Sequence, residues 1–127
     1  MTKTALVLSG GASRGAYELG VWKAIEELGL KIDIVIGTSI GAVNGSMVAQ
    51  KDFATAQKLW DSLENNQRFN IYSDEVDTLP SKLRYSLATI SKFFFGEAGS
   101  DVRNLLDILE PCLNEEAIRQ SSIEYGL

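Results

Sequence analysis

The apolar positions of this chain fall into runs of two periods. Thr4 to Leu8 reads TALVL, and Lys31 to Ile36 gathers Ile32, Ile34, Val35 and Ile36. Short β-branched runs next to glycines predict buried parallel strands. Between them, Leu19, Trp22, Ile25 and Leu28 recur at three-residue steps from Ala16 onward, with Glu18, Lys23, Glu26 and Glu27 on the other side. That spacing predicts an amphipathic helix, and Gly29 is placed to cap its end. The unit is strand, glycine loop, helix, strand, and two such strands should run parallel with a right-handed crossover. An α/β sheet of this kind puts its ligand site at the C-terminal strand ends. Both Ser9–Gly15 and the residues after Ile36 fall at that edge.

The second half is mostly helical. Phe53 to Leu63, with Trp60, predicts a helix, and Asn65 to Pro80 a polar, turn-rich surface segment. Leu83 to Phe95 places Leu83, Leu87, Ile90 and Phe94 at helical spacing and ends in Phe93-Phe94-Phe95-Gly96. A core or partner-facing helix is the simpler reading of it, and a lid or interfacial anchor the other. Asp101 to Leu109 predicts a helix stopped at Pro111, and Glu115 to Gln120 a short last one. Ser122 to Leu127 alternates like the start of a further strand.

Composition narrows the class without choosing a function. The 127 residues are 45% hydrophobic and 23% charged, an ordinary globular balance for one domain. Twelve basic against seventeen acidic side chains give a net charge of −5, which argues against a nucleic-acid partner. One cysteine, Cys112, excludes an internal disulfide and reads as a structural thiol in a reducing compartment. The start, MTKTALVLSGG, reads as a first strand and no signal peptide, and no apolar run reaches membrane-span length, so the default location is cytoplasmic.

The candidate chemistry lies where the second strand ends. Gly37-Thr38-Ser39-Ile40-Gly41 is a G-x-S-x-G pattern between a strand and a helix-compatible run of small residues, the layout of a nucleophile elbow. A serine hydroxyl is a weak nucleophile and must sit where a base and oxyanion donors converge. A turn that reverses within one residue brings the positions two before and two after it together, which calls for Gly37 and Gly41. The Ile40 amide, at a helix N-terminus, can face a developing oxyanion. A plain strand-to-helix turn with a capping Ser or Thr would carry the same letters. The following helix holds Gly41 and Gly45 in its interior, at about 1 kcal/mol each in propensity, which points to close packing on the sheet.

The glycine loop admits two functions. Gly10-x-Ala12-x-x-Gly15 nearly fits a dinucleotide fingerprint, but that reading wants an acidic residue at the end of the second strand, where Gly37-Thr38-Ser39 stands. Asp33 is at the opposite edge, and no G-K-[ST] follows the loop. The other function is an oxyanion hole built from backbone N–H groups near Gly11 and Ala12, favoured because the same edge carries Ser39. Arg14 serves either to steer an anionic head group or, by bonding to carbonyls, to support the loop; loop support is slightly favoured.

SGGASRGAYELGVWKAIEELG followed by IGTSIGAVNG resembles the start of a patatin-like phospholipase domain, over roughly the first fifty residues. The resemblance implies Ser39 as nucleophile and Gly10, Gly11 and Ala12 as oxyanion loop, with Ala12 standing where the family usually has a third glycine. The acyl-carrier transacylases share a related elbow, but they usually carry a histidine where this chain has Thr38. With no histidine in the chain, a Ser-His-Asp triad cannot form. The resemblance implies a Ser-Asp dyad whose aspartate lies in a later D-G-[GA] motif. No Asp-Gly pair occurs here, and Asp52, Asp61, Asp74, Asp77, Asp101 and Asp107 lack that signature. Two strands and the start of a third also leave hydrophobic strand edges open.

The expectation is a patatin-like α/β domain over 1–127, three-layer α/β/α with a mainly parallel sheet, incomplete at its C-terminal end. Its parts are a β-loop-α-β-elbow-α core at 1–50, a mostly helical 51–121 and a strand beginning at 122–127; the alternative is a short protein completed by oligomerisation. The implied function is hydrolysis of lipid or phospholipid esters through an acyl-enzyme, with transient membrane-surface contact and no metal or other cofactor. A catalytically silent binding domain is the alternative, and a dinucleotide-binding module the weakest reading.

Overall fold

A computed structural model describes residues 2–11, 14–65 and 107–127 of the chain. Its elements are β1 (Ala5–Leu8), α1 (Gly15–Glu27), β2 (Ile34–Gly37), α2 (Ile40–Gln50), α3 (Phe53–Asn65), a 3₁₀ turn (Glu110–Cys112), α4 (Glu115–Arg119) and β3 (Glu124–Gly126). Ala12, the segment expected to be turn-rich beyond Asn65, the aromatic segment Leu83 to Phe95, and Asp74, Asp77 and Asp101 lie outside the described residues.

The three strands form one parallel sheet in the order β1-β2-β3, an α/β fold. Leu6 pairs with Val35 and Leu8 with Gly37, while Val35 also pairs with Tyr125, so these side chains share one face. Leu8 and Val35 are buried there in a core with Leu19, Trp22, Met47, Val48, Leu59 and Ile123. α2 lies directly on this face, and α1 and α3 pack against α2. A T-shaped contact of Trp22 with Phe53, centroids 5.0 Å apart, joins α1 to α3.

The other face departs from the expected fully buried strands. Val7 is 70% and Ile36 41% exposed, because the described helices all stack on the Leu8–Val35 side. Leu28 also departs from its place in the apolar stripe and is 72% exposed, since it forms the cap of α1 and not its last buried turn. Gly29 follows at φ 65, and the N–H groups of Gly29 and Leu30 donate to the Glu26 and Ile25 carbonyls, the two bonds of a Schellman closure. β2 begins three residues later than the apolar run, after Asp33, whose carboxylate accepts from Lys31 and from the Thr4 N–H.

The chain after 107 closes onto the same core. The Gln50 side chain donates to the Cys112 carbonyl at 3.1 Å and accepts from the Asn114 N–H at 2.8 Å. Asn114 caps α4 through the Ala117 N–H. Tyr125 donates from its hydroxyl to the Ala42 carbonyl at 2.8 Å, fixing β3 against α2. Cys112 is half-buried, donates to the Ile108 carbonyl, and has its thiol pKa raised by burial, all properties of a structural thiol.

Candidate active site

Where β2 meets α2, the chain turns through one residue. Ser39 sits at φ 56, ψ −124, a conformation that costs an L-residue of order 1–3 kcal/mol. A capping serine would occupy the β region and bond to α2, but the Ser39 side chain makes no capping bond. The turn is held by its backbone: Gly41 N–H donates to the Thr38 carbonyl at 3.0 Å, Ala42 N–H to the Ser39 carbonyl at 2.9 Å, and Thr38 N–H to the Leu8 carbonyl at 3.1 Å. Thr38 and Ser39 stand at the C-terminal strand edge, Thr38 exposed and Ser39 half-buried.

The two flanking glycines are required by different neighbours. A Cβ at Gly37 would stand 2.2 Å from the Gly41 carbonyl oxygen, and one at Gly41 would stand 2.4 Å from the Leu8 carbonyl oxygen. Gly37 therefore answers to the turn, as the spacing argument requires. Gly41 answers instead to β1, whose last carbonyls press against the start of α2. Ile40 is buried and opens α2, so its N–H lies outside the intrahelical ladder at the positive end of the helix.

The glycine loop comes down onto this corner. A Cβ at Gly10 would lie 3.1 Å from Ser39 Cβ and 3.8 Å from its Oγ, so a side chain there would press on the serine and displace it by a few tenths of an ångström. Arg14 N–H donates to the Gly11 carbonyl at 3.0 Å, and the Arg14 Cβ–Cδ stem covers Gly11. Gly15 closes the loop against Trp60 and Ile40, whose side-chain atoms would lie 2.6 Å and 2.9 Å from a Cβ there.

A polar cluster missed by sequence reasoning lies behind the loop. Asn44, 2% exposed, donates from Nδ2 to the Gly15 carbonyl at 3.0 Å and to Glu18 at 2.8 Å, and accepts from Trp60 Nε1 at 3.0 Å. The half-buried Glu18 carboxylate has its pKa raised, because burial outweighs its bond to Asn44. The signal in the sequence is slight: an asparagine, a poor helix former, inside a predicted helix of otherwise small and apolar residues.

Two of the described aspartates are placed for other work. Asp33 is at the far strand edge with Lys31, and Asp52 caps α3 through the Thr55 N–H and hydroxyl. Asp107 is exposed on the last turn before the 3₁₀ segment.

Fold and corner together define a parallel α/β protein with a strained serine between strand and helix, beneath a glycine loop. The family model for patatin-like phospholipase matches residues 6–126, and the chain belongs to that family. Lysophospholipase nte1 of Aspergillus terreus is 58% identical over 45 residues, covering 35% of this chain and 3% of that protein. Patatin-like phospholipase domain-containing protein 6 is 48% identical over 54 residues in both Mus musculus and Homo sapiens, covering 42% of this chain and 4% of each relative. The chain thus matches only a few per cent of the length of these curated relatives. No solved structure matches it.

Proposed function

We propose that the domain to which this chain belongs is a serine lipid acyl hydrolase with Ser39 as nucleophile. The observation that carries this reading is the Ser39 corner: positive φ, no capping bond, and Gly10 lying over the side chain. Strain of this kind persists where the surrounding structure over-determines it, and it serves no cap here.

In the proposed reaction the Ser39 hydroxyl gives its proton to an aspartate base and attacks the ester carbonyl. The negative charge that develops on the carbonyl oxygen is met by the Ile40 N–H and by N–H groups of Gly10, Gly11 and Ala12. The alcohol leaves with the proton, and water then hydrolyses the acyl-serine with the same base. The family resemblance supplies the aspartate as base, and we place it outside these 127 residues, since no Asp-Gly pair occurs among them. Arg14 supports the loop by bonding to and covering Gly11. No metal or organic cofactor enters these steps.

The name of the Aspergillus relative, lysophospholipase, supports phospholipid or lysophospholipid esters as the substrate class. No helix among the described residues is long and apolar enough to cross a membrane. We propose transient contact of this domain with the lipid surface because a lipid-ester substrate lies there.

The test is intact mass after treatment with a fluorophosphonate probe, on the full-length protein, on its Ser39→Ala variant and on the 127-residue chain. One adduct on the full-length protein, lost in Ser39→Ala, is the expected result. Labelling of the short chain too would move the base inside it. A folded full-length protein that takes no adduct would leave the silent binding domain as the surviving reading.

A further inference from the structure

The glycine loop and the serine corner belong to different elements, so the space between them must be set by something that touches both. Asn44 meets that requirement. It sits one turn beyond Ile40 on α2, the helix that Ser39 begins, and its Nδ2 holds the Gly15 carbonyl at the far end of the loop. Next to Gly15, the Arg14 N–H donates to the Gly11 carbonyl at 3.0 Å, which carries the hold back to the other side of the loop.

The polarity of this chain of bonds is fixed by chemistry. An indole N–H can only donate, so Asn44 must turn Oδ1 toward Trp60. Its Nδ2 then faces two acceptors, the Gly15 carbonyl and Glu18 Oε2. No member can be inverted without setting two donors or two acceptors against each other in a buried site, where an unmade bond is costly.

We propose that Asn44, extended by Glu18, is the positioning residue that sets the height of the Gly10–Gly11 backbone above Ser39. The inference rests on the hydrolase reading, because a loop height matters to the reaction only if Ser39 is acylated. Neither residue touches the reacting atoms. They act through the far end of the loop, and a displacement of about 1 Å there is enough to lower an acyl-transfer rate on the order of a hundredfold.

The experiment uses the full-length protein and four variants. Asn44→Asp keeps an acceptor for Trp60 but cannot donate to Gly15 or Glu18. Glu18→Ala removes one acceptor from Asn44 Nδ2, while Glu18→Gln can supply an acceptor there through its amide oxygen. Tyr125→Phe is the structural control, removing a hydrogen bond from α2 without touching the loop. We expect Asn44→Asp and Glu18→Ala to lower the maximal rate of serine phosphonylation by the fluorophosphonate, with loss of fluoride, about tenfold to a hundredfold. The half-saturating probe concentration should stay unchanged, Glu18→Gln should recover part of the rate, and Tyr125→Phe should keep all of it. Amide exchange at Arg14, whose N–H holds Gly11, should accelerate about tenfold in Asn44→Asp and stay slow in Tyr125→Phe.

Wild-type phosphonylation rates in Asn44→Asp and Glu18→Ala would overturn the inference, as would an equal loss in Tyr125→Phe. These results all require a wild-type protein that takes the label. A wild type that takes none removes the hydrolase reading and the positioning role with it, a distinguishable failure.

Discussion

At the scale of single residues, the glycines show that identical letters carry different constraints. A methyl group at Gly37 or Gly41 meets backbone oxygens at 2.2 Å and 2.4 Å, and backbone in a strand-to-helix corner cannot move aside. Either alanine variant should lose roughly 3 kcal/mol of stability in urea unfolding, at the upper end of ordinary overpacking. Gly20, exposed in α1, has nothing within 4 Å of its Cβ position. Gly20→Ala should therefore stabilise by about 1 kcal/mol, the full helix-propensity gain. Gly45 lies between these cases, with a Cβ position 3.1 Å from the Tyr125 ring and 3.4 Å from Val35. A destabilised Gly20→Ala would mean that α1 is covered at that position, and a neutral Gly41→Ala would mean that β1 does not press on the elbow. The pattern G-x-S-x-G identified the corner, but its letters alone could not say that Gly41 answers to β1, because that contact spans more than thirty positions.

At the scale of elements, the α2–α3 corner concentrates two local devices in adjacent residues. Lys51 ends α2 at φ 59, with the Lys51 and Asp52 N–H groups closing onto the Val48 and Met47 carbonyls. A non-glycine residue in this left-handed position costs roughly 1–2 kcal/mol. The Lys51–Ser122 hydrogen bond is exposed and offsets little of that. Lys51→Gly should raise stability by about 1 kcal/mol in the same assay. Asp52 then starts α3, accepting from the Thr55 N–H at 3.0 Å and from its hydroxyl at 2.6 Å. The Thr55 hydroxyl first, then the N–H, lowers the Asp52 pKa below its ordinary 3.8. Asp52→Ala should cost about 1 kcal/mol near neutral pH. Because the folded value is the lower one, that difference is present above pH 3.8 and disappears as pH falls through the folded value. A deficit that persisted in strong acid would show that something other than the charged cap was lost. These elements were largely legible in sequence, since strand, helix and cap signals are short-range: Gly29, Pro111 and the β2 run all mark real ends. Asn44 and Trp60 were not legible as a pair, because sixteen residues separate them and only the packing of α3 on α2 brings them together.

At the scale of the whole molecule, what the sequence leaves open is which faces are covered and which charges are buried. The α/β class and the parallel order follow from apolar runs joined by a helix. The exposure of Val7 and Ile36 does not, because a run of apolar letters is the same whether one or both faces of the strand are packed. Burial of charge is likewise a property of the assembled layers, and it makes the last prediction. Glu18 reads as solvated in the helical pattern of α1, yet it is half-buried beside Asn44 of α2, and burial raises its pKa above the ordinary 4.5. Its folded form thus holds the proton more tightly than the unfolded chain does. As pH climbs from 4.5 through the raised value, the unfolded chain releases that proton first and stability falls. Glutamine at this position cannot ionise, so it carries at most a pH-independent offset and none of the pH dependence. Thermal melts of wild type and Glu18→Gln from about pH 2 to pH 8 should show the variant gaining relative to wild type across that window and running parallel on either side. Asp33 and Asp52, both lowered, shape the acid limb below 3.8 equally in the two proteins and cancel in the difference. A difference that stays flat across the window would mean that Glu18 ionises as freely in the fold as out of it. The layer of α2 and α3 over the glycine loop would then be open to water, and Asn44 would have lost the dry surroundings that make its bonds directional.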